Sequence, residues 1–226
     1  MNRSRINRWL EQHGLELEES FYEAYKDLAG KYKAEHGYSL LSDVYALTGI
    51  TKQQLSYWAA HPCSTQTKDL FRYRTILNAG RVFRLNAVET ELLANKAGLS
   101  VCRFLQTALQ EGGTPALPKP LPVRHGRLLA ESNVTERMLQ YIRNGMRPTK
   151  ETLLAISISL GYSLEEIQEA MKIYGYFLSR SLPNDTVVLY VLDHGNGPDG
   201  GPVSVWQINS ILEDLELPLL GTRFLK

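Results

Sequence analysis

Gly49-Ile50-Thr51-Lys52-Gln53-Gln54-Leu55-Ser56-Tyr57-Trp58 and Asn133-Val134-Thr135-Glu136-Arg137-Met138-Leu139-Gln140-Tyr141-Ile142 are two versions of one pattern. Apolar residues coincide at Ile50/Val134, Leu55/Leu139 and Trp58/Ile142, while Thr51/Thr135 and Tyr57/Tyr141 are identical. Each block fits a short helix, a three-residue turn holding Gly or Asn, and a second short helix whose apolar residues anchor inward. Thr51 followed by Gln54 has the spacing of a capping box at the start of that second helix.

The likeness continues downstream. Thr67-Lys68-Asp69 aligns with Thr149-Lys150-Glu151, and Leu85, Val88, Leu92, Leu99 and Ser100 align with Leu164, Ile167, Met171, Leu178 and Ser179 after a small gap. A fixed pattern that recurs along a chain predicts two copies of one supersecondary unit. Helical spacing surrounds the first copy: Phe21, Tyr25, Leu28, Ala29 and Tyr32 form one stripe ended by Gly37, and Leu40, Leu41, Val44, Tyr45 and Leu47 form a second. Further helices are expected from about Gln66 to Ala79 and from about Asn86 to Lys96, the latter ending at Gly98, and Ser163 with Glu166 marks another capped start.

Two breaks divide the chain. Gly112, Gly113, Pro115, Pro118, Pro120 and Pro122 exclude a helix from residues 112–122, which read as a loop inserted in the second copy. Glycines 195, 197, 200 and 201 with two prolines make Asp193 to Pro202 a turn. The expected organisation is a first helical unit over 1–99 with an N-terminal helix, a second over 100–180, and an acidic extension over 181–226. The fold class is all-α. One alternative stays open: Thr186 to Leu192 is rich in β-branched residues and, with Val203 to Trp206, fits a small β-hairpin at 186–206.

Composition narrows the function classes. The 226 residues carry a net charge of +1, with 43% hydrophobic and 22% charged content, which excludes a disordered or strongly basic chain. The longest apolar run, Val187 to Leu192, falls far short of the roughly 20 residues that cross a bilayer, so a soluble, cytoplasmic protein without a membrane partner is expected. Local charge is uneven. Residues 119–150 carry seven basic residues (Lys119, Arg124, Arg127, Arg137, Arg143, Arg147, Lys150) against Glu131 and Glu136. Residues 68–84 carry Lys68, Arg72, Arg74, Arg81 and Arg84 against Asp69, whereas the stretch from 181 is net −4. Basic segments of this kind are candidate anion-binding faces, or else simply solvated ones.

A helix braced behind a three-residue turn can lie in the major groove of DNA, with the polar residues at its start offered to base edges. In the second copy these are Thr135, Glu136, Arg137 and Gln140, since Arg pairs with guanine and Gln with adenine. Arg143, Asn144, Arg147 and Lys150 follow as expected phosphate contacts, which set register without reading sequence. The first copy offers Lys52, Gln53, Gln54 and Ser56 next to Thr51, and is less basic beyond them.

These residues resemble the XRE, or lambda-repressor-like, helix-turn-helix family. Val134-Thr135, Tyr141-Ile142-Arg143-Asn144-Gly145 and Arg147-Pro148-Thr149-Lys150-Glu151-Thr152-Leu153-Leu154 are similar to its recognition helix, loop and fourth helix, and Leu160 to Glu166 to its approach to helix five. The likeness is strongest over Leu128 to Leu178 and weaker over Leu40 to Leu99, and Asp185 to Gly221 resembles a helical extension of some bacterial members. The family often has Gln at the start of helix two, where this chain has Leu41 and His125. The resemblance implies two lambda-repressor-like bundles in tandem with a C-terminal helical extension, double-stranded DNA as partner, and transcription regulation of bacterial or phage type.

Ile208, Ile211, Leu212, Leu215, Leu217 and Leu219 would supply a homodimer or protein-partner surface in the extension, or else cover the chain's own core. The rival function is a protein-interaction adaptor or inhibitor on the same scaffold, without specific DNA binding. Enzyme chemistry is not expected: Asp193 and His194 beside the Gly-rich turn lack a nucleotide-loop ending, and no spacing raises Ser, His and Asp to a triad. His61-Pro62-Cys63 has no second pair at metal-site spacing, Cys63 and Cys102 read as idle thiols, and no cofactor is expected.

Overall fold

A computed structural model describes residues 3–60, 69–101, 131–195 and 203–221. Among them eleven helices form and no strand: α1 (Arg3–Gln12), α2 (Phe21–His36), α3 (Leu41–Thr48), α4 (Lys52–Ala60), α5 (Asp69–Val82), α6 (Ala87–Lys96), α7 (Glu136–Arg143), α8 (Lys150–Ser159), α9 (Leu164–Ile173), α10 (Pro183–His194) and α11 (Val205–Asp214). The fold is all-α, and no described helix is long and apolar enough to cross a membrane. The β-hairpin alternative is overturned, because Thr186 to Leu192 lies inside α10 and Val205-Trp206 opens α11. Burial of Val187 and Val188 outweighs the strand preference of β-branched side chains.

Local chemistry sets the helix starts. Ser20, Asn86, Ser163 and Ser204 each accept the backbone N–H three residues on, and Glu23, Glu89, Glu166 and Gln207 reach back to complete capping boxes. The Ser20 backbone N–H, with the Ser20 hydroxyl, holds the Glu23 carboxyl below its ordinary range. In the first copy Tyr25 is fully buried, shares a 2.5 Å hydrogen bond with Thr48, and has its phenol pushed up to about 12 by burial.

The two copies share backbone detail. Phe83 N–H donates to Ala79 and Leu160 N–H to Ile156; Leu85 donates to Gly80 and Tyr162 to Ser157; Leu99 donates to Ala94 and Tyr176 to Met171. Left-handed residues occupy the same turns, with Arg84 (φ 54) matching Gly161 (φ 73) and Gly98 (φ 72) matching Gly175 (φ 79). In this register the N-cap Asn86 matches the N-cap Ser163, and Ile167 matches Thr90. The expected pairing of Ile167 with Val88 and of Met171 with Leu92 is therefore two residues out. Val88 and Leu92 are exposed, at 69% and 56%, and α6 buries Thr90, Leu93 and Ala94 in their place. The match of apolar residues picks the exposed face of α6, whereas the N-caps and left-handed turns coincide two residues away.

At the junction Leu99 and Tyr176 form an antiparallel bridge, in which Ser100 N–H donates to the Gly175 carbonyl at 3.0 Å and Phe177 N–H to the Gly98 carbonyl at 3.0 Å. Beyond it, α10 packs on α9, and α11 packs on α8 and α10. Helix α1 contacts this C-terminal part: Trp9 meets the Tyr190 ring edge-on at 5.5 Å, and Arg5 pairs with Glu216 at 3.2 Å. The tail apolar residues also turn inward. Ile208, Leu212, Leu215 and Leu217 are buried, and Ile211 and Leu219 pack against the same core, as expected of residues that cover the chain's own core.

The segment after α11 returns to the second copy's turn. Leu220 accepts from the side-chain amides of Asn133 at 2.8 Å and Asn209 at 3.0 Å, and its N–H donates to Asn209 at 2.7 Å. Asn133 is itself left-handed, at φ 53, a conformation Asn tolerates better than other side chains. Asn133→Ala is expected to destabilise the protein by about 2 kcal/mol, from a lost buried hydrogen bond and added backbone strain. Asn133→Gly, which relieves the strain, should cost about half as much in urea denaturation. Equal costs would remove the backbone from the account.

Candidate nucleic-acid interface

The turn before α4 begins with Gly49 at φ 74, buries Ile50, and caps the helix with Thr51, whose hydroxyl accepts from Gln54 N–H at 3.2 Å. The Thr51 N–H donates to the Gln54 side chain at 2.8 Å, so that carbonyl oxygen is engaged in the cap. Leu55 is buried; Lys52, Gln53, Ser56 and Tyr57 are exposed, and Gln54 is half-buried.

The turn before α7 repeats this arrangement. Asn133 takes the left-handed position, Val134 is buried, and the Thr135 hydroxyl accepts from Met138 N–H at 3.3 Å. Leu139 and Ile142 form the buried spine, and Glu136, Arg137, Gln140, Tyr141 and Asn144 are exposed, with Thr135 and Arg143 half-buried. Arg137 does not wave freely. Its Nε donates to the Tyr141 hydroxyl at 2.7 Å, and the guanidinium carbon lies 5.4 Å from that ring's centre. This contact fixes the stem of the guanidinium one helical turn from its partner. Tyr141 and its counterpart Tyr57 were visible in the aligned blocks as an identity, yet neither stood among the expected interface residues.

Two expected phosphate contacts lie elsewhere. Lys150 is 1% exposed and its ammonium pairs with the buried Asp185 carboxylate, which also accepts from Ser179 N–H at 2.9 Å. Burial pushes the Asp185 carboxyl up, against the opposing pull of Lys150. Arg147 donates from Nε and Nη2 to the Tyr174 carbonyl at 3.1 and 2.6 Å, donates to the Tyr73 hydroxyl at 3.1 Å, and stacks 4.5 Å from the Tyr176 ring centre. Both cations therefore serve the junction between the copies, where a DNA backbone has no access to Lys150 and little to Arg147. Charge counting along the chain could not foresee this, since the partners lie far away in sequence.

Leu41, the first residue of α3, packs against the core. His125, Lys119, Arg124, Arg127, Lys68, His61, Pro62, Cys63, Cys102 and the loop 112–122 lie outside the described residues. Asp193 and His194 form an exposed pair at 3.4 Å, and His194 stacks on Tyr190. Comparison with protein-family models, with curated proteins and with solved structures finds no match to this chain.

Proposed function

We propose that this chain is a double-stranded-DNA-binding transcriptional regulator of the bacterial or phage helix-turn-helix type, similar to the XRE family and acting in the cytoplasm. The observation that carries the reading is α7: a helix anchored by buried Leu139 and Ile142, capped behind a left-handed turn, with Arg137 and Gln140 exposed on its outer face. A helix so braced can enter a major groove, and Arg and Gln are the side chains that pair bidentately with guanine and adenine. Arg143 and Asn144 at the end of α7 are the phosphate contacts this reading retains.

The test is enrichment of bound duplexes from a random pool, followed by titrations over a range of salt. A defined motif with a steep salt slope is expected. Arg137→Ala should lose about 1–3 kcal/mol of discrimination at one base pair, and Arg143→Ala should weaken all sequences alike and reduce the slope. Uniform weakening by both substitutions would remove the base-reading role of Arg137.

The interaction-module reading has one observation in its favour. With Arg147 and Lys150 committed to the junction, the positive charge left on the α7 side is modest. It predicts sequence-independent DNA binding and a protein partner that survives high salt.

A further inference from the structure

We infer that the two copies are halves of a dimer fused into one chain, related by an approximate two-fold axis between Leu99 and Tyr176, and that the partner is a duplex carrying two inverted but unlike half-sites. The inference rests on the DNA-binding reading above and goes beyond it, because it names how many chains occupy a site and which helix reads which half.

The junction has the reciprocity that a two-fold axis imposes, where each contact occurs twice with the roles exchanged. Gly98 corresponds to Gly175 and Ser100 to Phe177 in the register set by the caps. Ser100 N–H donates to Gly175, and Phe177 N–H donates to Gly98, both at 3.0 Å. Side chains also cross the junction in both directions. Tyr73, in α5, sends its hydroxyl across to the Gly175 carbonyl. Lys150, which occupies the corresponding place in α8, crosses the other way: a Cβ added to Gly98 would lie 2.7 Å from its Nζ. A head-to-tail stacking of repeats would bring unlike faces together and give no such backbone exchange.

The inference extends this axis to the turn-and-helix blocks of the two copies, so that it relates α4 to α7 as well as α6 to α9. Double-stranded DNA has two-fold axes of its own because its strands are antiparallel, and a two-fold pair of reading helices matches inverted sequences. The two helices differ at their exposed positions. Lys52, Gln53 and Ser56 on α4 face solvent where α7 has Glu136, Arg137 and Gln140. The two halves of the site must therefore differ in sequence.

The experiment uses the full chain and the enriched duplexes. Two inverted, dissimilar half-sites at one fixed spacing are expected, with one chain per duplex by native mass spectrometry. Lys52→Ala with Gln53→Ala should flatten the preference in one half only, and Arg137→Ala in the other half only. Inserting half a helical turn of DNA between the halves should lower affinity about tenfold or more, since the second contact then cannot form. A single half-site, direct repeats, or a true palindrome bound by two chains would overturn the inference and leave the DNA-binding reading standing. Absence of any enriched sequence would overturn the DNA-binding reading, and this inference with it. Circular dichroism of each variant separates a reading defect from a folding defect.

Discussion

Lys150→Met is expected to destabilise the protein by about 3–5 kcal/mol at neutral pH, because it leaves the Asp185 carboxylate buried without its cation. Asp185 is 0% exposed, and Ser179 N–H at 2.9 Å is then its strongest remaining partner. The loss should depend on pH with a definite sign. Burial raises the folded-state carboxyl above its ordinary value of 3.8, and removal of Lys150 raises it further by removing the largest opposing attraction. A carboxyl raised in the folded state holds its proton to higher pH than the unfolded chain does. Its contribution is therefore most favourable below the unfolded value and is lost as pH rises through the folded value. The deficit of Lys150→Met should accordingly shrink on acidification, as Asp185 takes up a proton. Lys150→Met with Asp185→Leu should return stability near to or above that of the parent, since apolar residues of similar volume commonly replace a buried ion pair without loss. Urea denaturation at neutral and acid pH checks all three statements. A Lys150→Met variant as stable as the parent would restore Lys150 as a candidate surface cation.

Gly98→Ala is the second large effect expected. Gly98 sits at φ 72, and a Cβ there would lie 2.7 Å from both Leu182 Cδ1 and Lys150 Nζ. The backbone accounts for about 1–2 kcal/mol and the crowding for about 1–3 more. Gly161 separates the two causes, because it has nearly the same φ, 73, but no heavy atom within 4 Å of an added Cβ. Gly161→Ala should therefore show the backbone cost alone. Equal denaturation midpoints for the two variants would mean that the neighbours of Gly98 yield freely. The effects of Gly98→Ala and Lys150→Met should not add, because both act on the same ammonium group.

The capped turns and the all-α class were legible in the chain because they depend on neighbours in sequence: Thr51 with Gln54, Ser163 with Glu166, and Gly49 or Asn133 at the bend. The register of α6 against α9 was misread where apolar identity stood in for geometry. Leu92 resembles Met171 chemically but lies on the opposite face from the residue that does correspond, Ala94. The exposed faces of α7 and α4 were legible, because exposure follows helical periodicity. The fates of Arg147 and Lys150 were not, because they depend on Tyr73, Tyr174 and Asp185, brought near only by the fold. The tail leucines were ambiguous for the same reason, since an apolar stripe does not say whether it meets its own chain or another.

The seating of α1 against the C-terminal helices has a consequence for how the chain is made. A ribosome releases Arg5 and Trp9 well before their partners Glu216 and Tyr190. The contacts of Arg5 and Trp9 therefore cannot form until α10 and the residues after α11 have been made. Contacts so distant in sequence carry a large loop-closure cost and form late. The first copy can close around Tyr25 while the C-terminal helices are still being translated, but the seating of α1 waits for them.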